Sequence, residues 1–500
     1  MNTQPTSDHV HRPSHGIPEI VLEIEGMTAA RGVEAYLVGG AVRDSLLGRT
    51  PKEYDIAVAT DASAFAKLLA DQAGGHFVSL DTERDTARVV IPSETDPVAI
   101  DFTHISDDIH SDLGRRDFTI NAMAARLDGV AGGEWDVIDP CGGRHDLGRG
   151  EVRAVKDDVF RLDAVRMMRA VRIAAALRFS LNSDTAASVQ RDSNQLTNSA
   201  PERIREELLK TLAESGARDS IRLMDRLGLL SQVIPEIDQA RDVAQPKEHH
   251  WDVFNHLVET VGFAESILDD REGDDLVSSM LPRFDGMREY FASEATDGAS
   301  RSTLLRFTGL IHDIGKPASK TLEPSGRIRF FGHNEVGAEM AGTIMGRLRF
   351  GRRGIRMVKT MIQHHLRPMQ MAATGKLPTK RAVYRYFRDV GDPALDTLYL
   401  NVADFLAARG PELTEEGMAE VSSVISHILK TEYRPEPAVP VGKGLIDGND
   451  VMNEFGLESG PEVGRVLSAV ASAEAIGTLN TREEALTMAR ELLESGGVSA

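Results

Sequence analysis

Apolar and polar positions follow two different periods along this chain. Between about residues 17 and 150, short apolar runs ("AYLVGG", "RVVIP", "VAIDFTHI") alternate with helical stretches and glycine turns. That mixture predicts an α+β head with a mixed sheet and helices. From Asp157 to about Leu230 the pattern is helical, dense in Arg and Leu and almost without Pro or Gly; the segment 151–235 reads as an all-α neck. Residues about 240–410 are again helical and rich in His. An acidic, Gly- and Ser-containing stretch at 269–302 interrupts them, and an insertion or mobile loop is expected there. "YRPEPAVPVG" at 433–442 reads as a Pro-rich linker. Residues 443–500 read as a small helical tail, and the polar residues 1–16 as a disordered tail. No internal repeat is found.

At 500 residues the chain is too long for one core, so several domains are expected. No apolar run reaches the length of a membrane span, and the N-terminus lacks an apolar signal core, so no export is expected. A single cysteine, Cys141, rules out an intramolecular disulfide and fits a cytoplasmic location. The net charge of −20 argues against a basic protein that coats nucleic acid, although a local basic groove is compatible with it. Two basic clusters are candidates for such a groove: Arg347 to Lys359, and Lys380, Arg381, Arg385 and Arg388. Nothing in the sequence specifies an oligomeric state.

The most informative stretch is "LVGGAVRDSLLGRTPKEYDIAV" (37–58). A strand ends in Gly39 and Gly40, followed by Arg43 and a short helix. A second strand carries Glu53 and Asp55 at alternate positions, which share one face. Glycines that admit phosphate oxygens to the backbone, an arginine, and two carboxylates aimed at one point suit Mg²⁺ and a triphosphate. Asp101, in the alternating run "VAIDFTHI", supplies a third carboxylate for two-metal nucleotidyl transfer.

This signature resembles the head domain of the DNA polymerase β superfamily, and most of all the bacterial class II tRNA nucleotidyltransferases and poly(A) polymerases. "DLGRRDFTINAMA" (112–124) is similar to the family's second motif. The resemblance implies nucleotide binding by Arg116, with Asn121 and Asp117 at the matching positions. "IDPCGGRHDL" (138–147) matches the loop motif that follows. In "RLDAVRMMRAVRIAAAL" (161–177), read as one helix, Asp163, Arg166, Arg169 and Arg172 are spaced by three and share a face. Such a face can pair with a base edge and clamp phosphates. The resemblance implies selection of CTP and ATP there without a template. Two positions depart from the family pattern: Leu162 stands where the family has an acid, and Glu53 where it usually has Asp. "SAPERIREELLKTL" (199–212) matches the last neck motif, with Glu202, Arg203 and Arg205 expected in structural or RNA-facing roles.

The His-rich segment resembles an HD-type metal-dependent phosphohydrolase. "DVFNHLVET" supplies His256, "GLIHDIGKP" supplies His312 and Asp313, and "NVADFLAARG" supplies Asp404. These four are the expected core ligands, with Lys316 near the phosphate and His333 and His364 as candidates for a second metal. Mg²⁺, Mn²⁺ and Ni²⁺ are the candidate ions. The leading expectation is therefore a tRNA nucleotidyltransferase that adds CCA from CTP and ATP with Mg²⁺, with a second HD phosphohydrolase site. The rivals are a poly(A) polymerase, a CC-only or A-only enzyme, and an HD phosphohydrolase with a degenerate head. The region "GGHFVSLDTERDTARVV" (74–90) lacks the Gly–basic–basic–Phe run of bacterial poly(A) polymerases, which favours tRNA.

Overall fold

A computed structural model describes residues 19–51, 53–92, 97–129, 135–268, 276–372, 376–432, 444–475 and 477–494. The expected N-terminal tail and the Pro-rich linker lie outside these residues. The chain divides into two compact units, one formed by residues 1–214 and 223–233 and the other by 215–222 and 234–500. No helix among the described residues is long and apolar enough to cross a membrane.

In the first unit, helix α1 (Glu19–Arg31) precedes a seven-stranded mixed sheet. Its strands are β1 (Ala35–Val38), β2 (Glu53–Val58), β3 (His76–Asp81), β4 (Thr86–Ile91), β5 (Val98–His104), β6 (Ala124–Arg126) and β7 (Val137–Ile138), in the spatial order β3-β4-β5-β2-β1-β6-β7. Among the described residues of this sheet, β2 and β5 pair in parallel and the other neighbours are antiparallel. β1 is buried along its whole length, as a central apolar strand must be. Between β1 and β2 runs the short helix α2 (Gly40–Leu46). Helix α3 (Ala62–Ala73) starts where Asp61 accepts a hydrogen bond from the Ala64 amide and stops at Gly74, which is left-handed. It packs Phe65 against Phe102 of β5, with ring centroids 5.6 Å apart. The neck follows with α4 (Val165–Leu177) and α5 (Pro201–Ala213), which bury Met167, Met168, Val171, Leu208 and Leu212.

The expected continuous helix over 161–177 is broken. A short helix ends at Leu162, Asp163 is extended (φ −153°, ψ 101°), and α4 starts at Val165. The Asp163 carboxylate accepts a hydrogen bond from the Val165 amide, the competition that makes Asp a helix starter rather than a helix interior.

The second unit is helical. Its core helices are α6 (Val253–Ser266), α7 (Arg301–Ile311), α8 (His333–Arg347), α9 (Arg352–His364) and α10 (Ala394–Arg409). The described part of the expected insertion, from Leu276 to Ser302, is folded rather than a loose loop. Phe284 and Phe291 stack around Tyr399 at centroid distances of 6.0 and 5.2 Å, and Tyr399 donates to the Pro282 carbonyl at 2.6 Å. Three aromatic residues in an acidic stretch, Phe284, Tyr290 and Phe291, anchor it. The tail helices α11 (Gly448–Phe455), α12 (Pro461–Ala475) and α13 (Arg482–Glu494) share a small apolar core of their own around Val451, Val463, Val466 and Val470.

Candidate functional site

The head site is built by strand register. Asp55 on β2 pairs with Asp101 on β5, and Glu53 lies two residues before Asp55 on the same face. Glu53 is exposed and Asp55 partly buried. Burial, joined by the Asp101 and Glu53 charges, pushes the Asp55 carboxyl up to about 6 against the opposing pull of Arg116 and Arg88. Gly39 adopts φ 71°, ψ −132°, a conformation that only glycine tolerates well. A Cβ there would lie 2.9 Å from Asp55 Oδ2 and 2.9 Å from Arg116 Nη1. The glycine therefore keeps an opening between a carboxylate and a guanidinium. Three carboxylates crowded enough to raise the proton affinity of Asp55, beside an open cradle, fit a hard divalent cation.

One feature of this site was not legible in the sequence. Arg88 on β4 stands opposite Asp101. It donates Nε to Oδ1 at 2.7 Å and Nη2 to Oδ2 at 2.8 Å, a bidentate pair. Finding it requires knowing that β4 and β5 are antiparallel neighbours in this register.

From the glycine turn an ionic chain leads into the neck. Arg43 Nη1 donates to Asn121 Oδ1 at 2.8 Å, and Asn121 Nδ2 to Asp117 Oδ1 at 3.3 Å. Arg169 Nη1 donates to Asp117 Oδ2 at 3.0 Å and its Nε lies 3.5 Å from Glu207 Oε1, while Arg172 Nε donates to Glu207 Oε2 at 2.7 Å. Asp117 is buried, yet Arg169 and the Phe118 amide overcome that burial and hold its carboxyl below the usual range. Of these two arginines, both expected as nucleotide contacts, Arg169 ties the neck to the head through Asp117, and Arg172 ties α4 to α5 within the neck. Arg116 is held by Asp112 at 3.1 Å.

Asp163 and Arg166 face a different environment. Arg203 grips Asp163 through Nη1–Oδ1 at 3.0 Å and Nη2–Oδ2 at 2.7 Å. Arg166 Nη2 donates to the Arg115 carbonyl at 3.2 Å, and its Nη1 is buried with no acceptor. Leu162, at the position where the family has an acid, is 73% exposed and contributes nothing to this group. In the loop motif, Asp139 accepts from the Gly143 and Arg144 amides at 2.7 and 2.9 Å and caps the following helix.

The HD cluster is buried in the second unit. His256 Nε2 lies 3.0 Å from Asp404 Oδ1 and 3.3 Å from Asp313 Oδ2, and His312 Nε2 lies 3.3 Å from Asp313 Oδ2. The other oxygen, Asp313 Oδ1, faces His333 Nε2 at 3.2 Å and His365 Nε2 at 3.7 Å. Two groups of potential ligands therefore share Asp313: His256, His312, Asp313 and Asp404, and Asp313, His333 and His365. His312, His333 and His365 each turn Nδ1 to a backbone carbonyl, of Gly309, Phe330 and Ile362, at 2.9, 2.7 and 2.6 Å. Those bonds leave Nε2 free for a metal. Against the effect of burial, Asp313 and Asp404 raise the His312 imidazole to about 10, while burial lowers His365 to about 4. The Nε2 atoms of His333 and His365 face Asp313 Oδ1 without a hydrogen bond, and this crowding of nitrogen and oxygen donors fits divalent ions. Gly315 is required by close packing, since a Cβ would lie 2.4 Å from the His333 carbonyl oxygen.

His364, expected in the second metal group, is not in it; its neighbour His365 is. His364 ends α9 in the field of Arg367 and Asp389, while His365 is fully buried. Adjacent helical residues point about 100° apart, and the sequence pair does not say which one faces inward. Lys316 reaches Asp313 Oδ2 at 2.5 Å and Gln245 Oε1 at 2.6 Å, and lies 3.4 Å from His249. His249 and Gln245 carried no motif signal. Part of the first basic cluster is neutralised locally: Arg347 pairs with Glu236 and Lys359 with Glu339.

Fold and site define a polymerase-β-type nucleotidyltransferase head with a helical neck, in a chain that also carries an HD domain. Residues 35–153 match the family model of the poly A polymerase head domain, 178–241 that of the probable RNA and SrmB-binding site of polymerase A, and 253–409 that of the HD domain. An A-adding tRNA nucleotidyltransferase of Deinococcus radiodurans is 34% identical over 458 residues, covering 90% of this chain and 94% of that protein. A CC-adding tRNA nucleotidyltransferase of Thermus thermophilus is 33% identical over 459 residues, covering 90% and 92%. A solved complex of a CCA-adding enzyme with ATP shares the fold with a TM-score of 0.60 at 22% identity, covering 95% and 94% of the two chains. The chain belongs to the tRNA nucleotidyltransferase family.

Proposed function

We propose that this chain adds C, C and A to tRNA 3′ ends from CTP and ATP, as a cytoplasmic enzyme. The observation that carries the reading is Arg166. A charged donor buried without an acceptor, beside the Asp163 carboxylate, is costly unless a ligand completes it. A donor and an acceptor side by side suit the edge of a cytosine or adenine. Gly39 and Gly40 leave room for the triphosphate, and Arg43 and Arg116 supply charge beside it. Glu53, Asp55 and Asp101 are the residues that would hold Mg²⁺. Mg²⁺ there supplies activation of the attacking 3′-hydroxyl and neutralisation of the triphosphate. The test is incorporation of labelled CTP and ATP on tRNAs ending at the discriminator base, at C or at CC. Extension of all three to CCA supports the full activity, and transfer to none of them removes the reading.

A second reading, A-only or CC-only addition, is favoured by the names of the two relatives that cover nine-tenths of the chain. In the same assay a CC-only enzyme extends the acceptors ending at the discriminator base and at C and stops at CC, and an A-only enzyme extends only the acceptor ending at CC.

For the second unit we propose a metal-dependent phosphohydrolase that acts on 2′,3′-cyclic or terminal phosphates of RNA ends. His256, His312, Asp313 and Asp404 would hold one divalent ion, and Asp313, His333 and His365 another. Lys316, which pairs with Asp313, would supply positive charge to a phosphate bound there. Hydrolysis of bis-p-nitrophenyl phosphate and 2′,3′-cyclic AMP by chelated enzyme, with Mg²⁺, Mn²⁺ or Ni²⁺ restored, is the test. Inactivity with every ion, together with no bound metal, refutes it.

A further inference from the structure

The third carboxylate of the head is already occupied by a side chain. Both oxygens of Asp101 accept hydrogen bonds from Arg88, at 2.7 and 2.8 Å, and both side chains are largely shielded, with exposures of 20% and 34%. The pairing follows from register: Arg88 and Asp101 are directly opposed across the β4–β5 ladder, so their side chains leave the sheet on the same face. Asp101 is also the direct neighbour of Asp55 on the other side. One carboxylate thus lies between a guanidinium and a second carboxylate. Among the described residues Asp55 has no comparable bidentate partner, and Glu53 is exposed.

We propose that Arg88 is a positioning residue that competes with divalent cation for Asp101. In the free enzyme it is the counter-ion of that carboxylate and keeps it from repelling Asp55. A cation ligated by Asp55 and Asp101 takes over the same oxygens, and the guanidinium withdraws from at least one of them. Free enzyme thereby holds the cation loosely, and the full cation complement assembles when a triphosphate brings further oxygen ligands. This rests on the cation-binding reading of Glu53, Asp55 and Asp101. A plain structural brace predicts the opposite sign: removing it would loosen Asp101 and weaken cation binding.

The experiment is Mn²⁺ binding to the full chain without nucleotide, followed by the electron paramagnetic resonance signal of free Mn²⁺. Every protein carries Asp313→Asn, which disables the ligand that both HD metal groups share. Losing a charge-assisted bidentate pair of this exposure should change affinity by about three- to tenfold. Arg88→Met is therefore expected to tighten head binding by that factor, and Arg88→Lys, a one-point donor, by less. Asp101→Asn is expected to weaken binding, and Arg88→Met added to Asp101→Asn should change nothing further. In turnover, Arg88→Met should lower the Mg²⁺ concentration for half-maximal rate and reduce the steepening of Mg²⁺ response by CTP. Unchanged or weaker Mn²⁺ binding in both Arg88 variants, with the thermal midpoint preserved, overturns the competition alone. If Asp101→Asn titrates like the parent, the head holds no cation through Asp101, and the competition falls together with the reading it rests on.

Discussion

Arg203 is a sharp test of how base choice is built. It holds Asp163 by two hydrogen bonds from the first turn of α5, 40 residues further along the chain. A bidentate side-chain contact to a base edge is worth about 1–3 kcal/mol of discrimination. Asp163→Ala should therefore cost about ten- to a hundredfold in the preference for CTP and ATP over GTP and UTP. Arg203→Met removes only the grip on Asp163. Its side chain is 48% exposed and that of Asp163 27%, so the pair belongs with half-screened ion pairs worth about 0.5–1 kcal/mol. The expected loss of discrimination is about two- to fivefold, with Arg203→Lys in between. The assay is kcat/KM for each of the four nucleoside triphosphates on one tRNA acceptor. If Arg203→Met raises the KM for tRNA while discrimination is untouched, Arg203 faces RNA and the positioning argument fails. A loss larger than that of Asp163→Ala would show Arg203 itself touching the base.

Asp55→Ala and Asp101→Ala should abolish nucleotide addition in a folded chain, checked by primer extension and circular dichroism, whereas Glu53→Asp should keep or raise it. Asp55 also predicts a pH effect on metal-free protein. Its folded carboxyl, raised from 3.8 to about 6, binds a proton more readily than in the unfolded chain, so the ionised form is a penalty present above pH 6 and relieved as pH falls toward 4. That penalty is at most about 3 kcal/mol. Asp55→Asn should raise the melting midpoint of the head by several degrees at pH 7.5 in chelator and by about a third as much at pH 4.5. In the HD domain, His312→Ala with Asp313→Ala should end phosphodiester hydrolysis and spare CTP and ATP addition. Elemental analysis should find less metal in His365→Ala and the full complement in His364→Ala.

The sequence carries the chemistry of the head more completely than its wiring. Strand alternation places Glu53 and Asp55 on one face, and the glycine pair foretells a turn that a Cβ would close. Asp101 could be named as the third acid, but its pairing with Arg88 depends on a strand register that no local pattern encodes. In the neck, spacing by three correctly puts Arg166, Arg169 and Arg172 on one side of a helix. It does not tell a nucleotide contact from an ion pair, because the partners Asp117 and Glu207 come from 52 and 35 residues away. The break before Val165 escaped for a local reason: Asp163 serves as a helix starter inside a run whose hydrophobic period continues across it. His365 was hidden by its neighbour, and the folded stretch after Leu276 by its acidic composition.

That wiring bears on how an acidic protein can act on RNA and nucleotides. Most arginines of the first unit's site already have carboxylate partners: Arg43 has Asp44, Arg88 has Asp101, Arg116 has Asp112, and Arg169 and Arg172 have Glu207. Their charge is spent on geometry. It holds the Gly39 turn, the Arg116 motif and α4 in one frame through Asn121 and Asp117. A triphosphate entering that frame meets oriented donors rather than a diffuse positive field, and orientation is what a transfer without a template needs. Arg166 and Arg169 each keep a buried donor without a hydrogen bond, at Nη1 and at Nε respectively. A net charge of −20 is therefore no argument against nucleotide chemistry here, because the proposed site is built from fixed ion pairs and a few unsatisfied buried donors rather than from bulk charge.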